Sequence, residues 1–371
     1  MKRTLYPHQS EALARLRSEL LAGTSRIVLQ APTGAGKTIM AAQMVRDMIE
    51  NGQRVIFCVS SLSLIDQTIE RFRSEGIIDI GVIQGAHELS NHLAMVQICS
   101  IQTLRRREIP KADFVIIDEI HVWHDAYEDW LNDPAWVDVP FIGLSATPWR
   151  KGLGKFFKKL IKVTDTQTLI DGGFLSDYRV YAPAHPDLTG IKTVAGDYHR
   201  GQLSEAMKKP ALVADIVDTY QKIGEERSGF CFCVDRTHAK AVQKQFEEGG
   251  ISAGYIDCFT KRPEREEVRR AFHAGEIRIV CNVGVLTVGI DWDVRVIILA
   301  RPTKREMLFV QIVGRGLRTA HGKTDCLILD HSDNHTRLGF VTDINYDELD
   351  NGNVSLRSRA GISDSGWALL R

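Results

Sequence analysis

The chain has 371 residues, 44% apolar and 25% charged, with 47 basic side chains balancing 47 acidic ones. Those are the fractions of a soluble globular protein too long for one ordinary core, and a net charge of zero announces no polyanion partner by itself. No apolar stretch approaches a bilayer span, the opening Met-Lys-Arg-Thr-Leu-Tyr-Pro lacks the apolar core of a signal peptide, and seven scattered Cys without a C-x-x-C pair suit reduced thiols. A cytoplasmic protein without membrane contact is expected, and zinc is not.

In chain order, a helix is predicted over 8–21, with Ala12, Leu13, Leu16 and Leu20 on one face. Short β-rich runs at 26–30, 54–59, 95–99, 113–117 and 141–144 then alternate with helical patterns at 37–50 and 62–74. Such alternation implies βαβ units and a parallel sheet. From about 161 to 209 the pattern loosens around Gly172, Gly173, Pro183, Pro186, Gly190 and Gly196, and reads as the crossing into a second domain. Alternation resumes with strands at 229–234, 252–256, 278–282, 294–299 and 325–330, and helices at 237–248, 263–274 and 304–313. The last stretch is polar and reads as a loosely packed tail anchored by Trp367, Leu369 and Leu370. The expectation is α/β architecture in three parts: domains at 1–163 and 164–345, and a tail at 346–371.

Two strings carry chemistry. Residues 31–38, APTGAGKT, fit G-x-x-x-x-G-K-[ST] except that Ala31 replaces the first Gly. Between a strand and a helix, such a loop aims backbone N–H groups at phosphates, with Gly34 and Gly36 allowing the turn and close approach. Lys37 then neutralises phosphate oxygens and the Thr38 hydroxyl meets Mg²⁺. Residues 118–121, DEIH, follow an apolar run, placing Asp118 on the metal and Glu119 on the attacking water. ATP and Mg²⁺ are therefore the expected cofactors.

Other features gain meaning beside that site. Arg315 and Arg318, three apart in QIVGRGLR (311–318), suit guanidinium groups aimed at the γ-phosphate. From Arg150 to Lys162 run six Lys/Arg and no acid, interleaved with Phe156 and Phe157; a solvated face and a phosphate-contacting strip both explain such a run.

Taken in order, these motifs resemble superfamily 2 helicases and translocases, most closely the RadD-like DNA-repair ATPases of bacteria and phage, over about residues 3–340. LYPHQ (5–9) is similar to the adenine-reading Gln segment, VSSLSLIDQ (59–67) to motif Ia, CSIQTL (99–104) to motif Ib and SATP (145–148) to motif III. FCVDRTHAKAV (232–242) resembles motif IV, TVGIDW (287–292) motif V, and residues 314–334 the RadD-type ending. The resemblance implies two RecA-like domains, each a mostly parallel sheet flanked by helices, with ATP at the cleft between them.

It assigns Gln9 to adenine, and Thr33, Gly34, Ala35, Gly36, Lys37, Thr38, Gly289 and Asp291 to the nucleotide. Lys37, Asp118, Glu119, Gln311, Arg315 and Arg318 are the implied catalytic set, and His121, Ser145 and Thr147 the coupling set. Ser61, Ser100, Gln102, Thr103, Arg150, Arg236, Thr237 and Thr287 are implied to meet a nucleic-acid backbone. The implied activity is ATP-driven helicase or translocase stepping, with DNA preferred over RNA and repair or recombination proteins as partners. Alternatives are a nucleotide-gated binding or remodelling module, or the motor subunit of a larger repair or defence complex. Motif Ia departs from the family in carrying Ser60-Ser61 for Pro-Thr, and residues 341–371 hold no Cys where the resemblance implies a Cys-rich zinc segment.

Overall fold

A computed structural model describes residues 4–352 apart from 86, 184 and 288–291. Gly289 and Asp291, and the expected tail anchors Trp367, Leu369 and Leu370, lie outside the described residues. The described chain forms two compact units, Met1–Asp165 joined by residues 346–352, and Thr166–Asn345.

In the first unit the order is α1 (Pro7–Leu21), β1 (Arg26–Gln30), α2 (Lys37–Glu50), β2 (Val55–Val59), α3 (Ile65–Ser74), β3 (Ile80–Ile83) and β4 (Val96–Ser100). There follow α4 (Ile101–Leu104), β5 (Phe114–Asp118), α5 (Asp125–Asn132), β6 (Phe141–Ser145) and β7 (Lys159–Lys162). The seven strands make one sheet in the order β3-β4-β2-β5-β6-β1-β7, every neighbour parallel. Central strands such as β2 (Val-Ile-Phe-Cys-Val) are buried along their whole length, as a parallel sheet covered on both faces requires. Val28, Ile56, Val115, Tyr127, Trp130 and Phe141 belong to the core on one face.

The second unit runs α6 (Thr166–Asp171), β8 (Asp177–Tyr181), β9 (Thr193–Val194), β10 (Asp197–Tyr198), α7 (Arg200–Met207), α8 (Pro210–Ile223), β11 (Gly229–Cys233) and α9 (Arg236–Glu248). It continues with β12 (Ala253–Ile256), α10 (Arg262–His273), β13 (Ile279–Asn282), β14 (Val296–Ala300), α11 (Glu306–Gly316), β15 (Asp325–Asp330) and α12 (Asn334–Leu338). Six strands form a second parallel sheet, β12-β13-β11-β14-β15-β8, while β9 and β10 make a separate antiparallel hairpin. Two parallel α/β sheets of this kind are tandem RecA-like domains. The stretch expected to be irregular thus holds α6, an edge strand, a hairpin and α7.

The described end of the chain does not stay with the second unit. Leu349 is buried in the first unit's core beside Leu153 and Phe157. Asp350 Oδ1 accepts the Gly152 N–H at 3.1 Å, and its backbone oxygen accepts that of Gly154 at 2.8 Å. Tyr346 packs on Trp149 with centroids 4.8 Å apart, and Asp347 pairs with Lys162 at 2.9 Å.

Candidate functional site

The register of three neighbouring strands assembles the site. Gln30 pairs with Ser145 between β1 and β6, and Asp118 pairs with Leu144 between β5 and β6. The loop after β1, the Asp118–His121 turn and the Ser145–Pro148 turn therefore leave the sheet side by side at its carboxyl edge, where open α/β sheets bind ligands. The Ala31 N–H donates to Ser145 O at 2.9 Å, tying the first turn to the third.

Gly36 caps α2 in the left-handed region (φ +82°), and a methyl there would lie 2.3 Å from Gln9 Nε2. Gln9 is buried; its Nε2 donates to Ala35 O at 2.9 Å and its Oε1 accepts the Tyr6 N–H at 3.0 Å. The amide thus clamps the N-terminal segment onto the phosphate loop, and each end keeps one further hydrogen-bonding position. Thr33 and Gly34 form the loop's turn, Gly34 at φ +91°, and Ala35 is buried beneath it. Lys37 Nζ donates to Ala31 O at 3.3 Å, and Arg71 of α3 donates to Thr38 Oγ1 at 3.2 Å.

Glu119 stands at φ +52°, an uncommon conformation for a residue with a side chain. The kink turns DEIH back on itself: His121 Nδ1 lies 3.3 Å from Glu119 Oε2 and 2.8 Å from Ser145 Oγ. Ser145 Oγ also accepts the Thr147 N–H at 3.0 Å, and both residues are buried. Burial pushes the His121 imidazole below its ordinary pKa, more than Glu119 raises it. Burial, then the Glu119 charge, push the Asp118 carboxyl up to about 7 against the opposing pull of Lys37.

Two crowded carboxylates short of positive charge, with a threonine hydroxyl on the facing helix, form an oxygen donor set that suits Mg²⁺. Thr38 and Asp118 are the residues that would hold it.

A second row lies along the same edge. Val59 pairs with Ser100 between β2 and β4, and Gln102 Nε2 donates to Ser60 O at 3.1 Å. Ser100 Oγ and Thr103 Oγ1 are 3.2 Å apart, with Ser100 buried and Gln102 exposed; Ser61 precedes the 3₁₀ turn Leu62–Leu64. Arg150 lies over the Trp123 ring at 5.5 Å and lines a cavity of about 180 Å³ with Lys151, Lys155, Glu128 and Phe156. Further along the basic strip, Lys159 pairs with Glu19 at 2.6 Å, Lys162 pairs with Asp347, Phe157 is buried and Lys158 is exposed.

In the second unit, Arg236 and Thr237 are exposed in the first turn of α9, which Asp235 caps by accepting the His238 N–H at 2.8 Å. Arg236 pairs with Asp257 at 2.8 Å and covers Phe259, which is 69% exposed. Nothing about a lone aromatic in a turn marked Phe259 beforehand. Arg315 is buried, donating from Nε to Thr287 O at 2.8 Å, and Thr287 is itself buried. α11 ends at Gly316, so Arg318 leaves the helix and bridges to Leu175; Gln311, half-buried, remains on it. Arg71, bonded to Thr38, and Gly143 of β6, which packs directly against Ile120 of the DEIH turn, join the first unit's site without any motif to announce them.

The description "Type III restriction enzyme, res subunit" fits residues 2–150, and "Helicase conserved C-terminal domain" fits residues 208–320. A 51.5 kDa protein of a Lactococcus phage is 28% identical, over 81% of this chain and 64% of its own length. The DNA 3'-5' translocase XPB2 of Sulfurisphaera tokodaii is 23% identical, over 85% of this chain and 78% of its own. The chain spans 51–64% of the length of several curated relatives it matches.

Among solved structures, the DNA-bound Type ISP restriction-modification enzyme LlaBIII superposes with a TM-score of 0.67 at 16% identity, over 90% of this chain and 28% of that one. RNA-bound Dbp5 of S. cerevisiae reaches 0.59 at 14% identity, over 91% and 90%. In tandem, therefore, the chain matches a restriction-enzyme res-subunit domain over residues 2–150 and a helicase C-terminal domain over residues 208–320.

Proposed function

We propose that the chain is an ATP-driven motor on nucleic acid, with DNA as its track. One observation carries the reading: the phosphate loop, the Asp118–Glu119 turn and the Ser145–Thr147 turn leave adjacent strands together, bound to one another by His121–Ser145 and Ala31–Ser145 contacts. A nucleotide's phosphates and the group that reports on them would then share one hydrogen-bonded unit.

In that reading Thr33–Gly36 cradle the phosphates, Lys37 offsets their charge, and Glu119 orients water. Arg315, Arg318 and Gln311 of the second unit act on the γ-phosphate, with Gly289 and Asp291 near the nucleotide. Bound Mg²⁺ would supply charge neutralisation at the phosphate oxygens. Ser61, Ser100, Gln102, Thr103, Arg150, Arg236, Thr237 and Thr287 grip the strand's backbone rather than its bases.

DNA is preferred because XPB2 is named a DNA translocase and LlaBIII is DNA-bound; RNA-bound Dbp5 shows that the fold alone does not choose. A place among RadD-like repair ATPases rests on residues 314–334. The test is ATP turnover with single-stranded DNA, duplex DNA and RNA. Stimulation by DNA above RNA is expected, with turnover falling about 100-fold or more in Lys37→Ala and Glu119→Gln. Turnover indifferent to every polynucleotide would sink the motor reading.

A further inference from the structure

The hairpin β9–β10 turns through Ala195 (φ +50°) and Gly196 (φ +80°) and is too short to hold itself. The loop after β14 holds it. Asp197, 7% exposed, accepts from Thr303 Oγ1 at 3.0 Å and from the Lys304 N–H at 2.9 Å. Arg305 donates to Ala195 O at 2.8 Å, and Lys304 Nζ reaches Thr193 Oγ1 at 2.5 Å while lying 4.7 Å from the Tyr198 ring centre.

Charge in this corner is lopsided. Asp197 is shared by Arg301 at 3.5 Å and Arg305 at 4.0 Å, both longer than a good charge-assisted bond. Arg301 Nε is buried and has no hydrogen-bond acceptor among the described residues. Burial lowers the Arg301 pKa, and the neighbouring Arg200 and Arg305 charges push the same way against Asp197. A half-buried guanidinium crowded by two others is costly unless an anion completes the set.

The place suits such an anion. β14 pairs with β11 so that Ala300 faces Cys233, and Arg301 therefore leaves the same carboxyl edge as the Asp235–Thr237 turn. Arg200, Lys304 and Arg305 are exposed there.

We propose that Arg200, Arg301 and Arg305, set by the hairpin, form a phosphate clasp that grips the backbone of a single nucleic-acid strand on the second unit. This rests on the motor reading and adds a contact that none of its motifs contains. The clasp reads phosphate and no base, so it tolerates any sequence, as stepping requires.

The experiment measures anisotropy of a labelled short oligothymidylate over roughly 50–200 mM salt, beside nucleic-acid-free ATP turnover and thermal melting. Arg305→Gln and Arg200→Glu are the variants; the latter is exposed at the first position of α7, where a carboxylate suits the helix dipole. Each variant is expected to raise Kd about 5-fold or more. Together they should reduce the slope of log affinity against log salt by about 1.4, at ~0.7 per lost single-strand phosphate contact. Melting and nucleic-acid-free turnover should stay unchanged.

If wild-type protein binds and is stimulated while both variants keep its Kd and slope, the clasp is wrong and the motor reading stands. If wild-type protein neither binds nor responds, both fall. Displacement of the oligonucleotide by inorganic phosphate or polyglutamate as readily as by unlabelled oligonucleotide overturns it in favour of a general anion patch. Should Arg305→Gln melt early, Arg200→Glu alone decides.

Discussion

Gly143 sits in the middle of β6 for a steric reason that reaches the DEIH turn. A methyl on it would lie 2.9 Å from Ile120 Cγ2 and 3.1 Å from Ile120 Cβ, the stiff branch point of that side chain. Ile120 cannot retreat freely, because its N–H donates to Leu144 O at 3.0 Å. The residue before it, Glu119, is the one at φ +52°. Gly143→Ala should therefore cost about 1–3 kcal/mol by overpacking and also displace Glu119. ATP turnover should drop about 10- to 100-fold, since small misplacements of a catalytic group are expensive. Steady-state kinetics beside thermal melting checks this; a lowered melting point with unchanged turnover would show that Glu119 does not depend on the packing beneath it.

At the scale of elements, what was legible followed from what each segment buries. β1 and β15 fall where their apolar runs place them, and α2 begins and ends where the phosphate loop and its apolar spacing predict. β7, Lys-Leu-Ile-Lys, hides inside a basic strip because an edge strand carries charge on its open side, and the Lys159–Glu19 and Lys162–Asp347 pairs form only once α1 and the returning chain are in place. β8, alternating Asp-Tyr-Arg-Val-Tyr among Gly and Pro signals, and the four-residue β3 are further unread edges. The phosphate loop and DEIH were visible because their chemistry needs local spacing, whereas Arg71 and Gly143 enter only by tertiary contact.

The turn joining β11 to α9 illustrates such a contact and carries a pH dependence. His238 is fully buried, its Nδ1 accepts the Val234 N–H at 3.3 Å, and burial lowers its pKa from 6.5 to about 4. The folded state therefore binds fewer protons than the unfolded chain between those values. The resulting stability is complete above pH 6.5 and is lost as pH falls through 4. Denaturant unfolding should register about 2 kcal/mol less stability at pH 5 than at pH 7 from this group, and His238→Gln should flatten that slope. An unchanged slope in the variant would place the acid sensitivity elsewhere.

For the whole molecule, the consequential fact is that the chain returns: it leaves the first unit after Asp165 and rejoins it at Tyr346. The stretch expected to be a loose tail includes Leu349, 8% exposed within the first unit's core, and Asp350, bonded to the backbone of Gly152 and Gly154. Those glycines follow the Ser145–Pro148 turn closely, so the returning segment braces the loop that carries Arg150. Leu349→Ala should thus destabilise a unit whose residues, apart from this returning segment, all precede Thr166 in the described chain. Truncating a buried leucine costs about 2–4 kcal/mol, which for a unit of this size lowers its melting point by roughly 5–10 °C. Of six tryptophans, Trp123, Trp130, Trp136 and Trp149 lie in the first unit, Trp292 in the second and Trp367 outside the described residues, so tryptophan fluorescence reports mainly on the first. The fluorescence-detected transition should move by that amount, and nucleic-acid-stimulated turnover should weaken with it through Arg150. A variant that melts like wild type by fluorescence would mean that the first unit holds itself together without the returning chain.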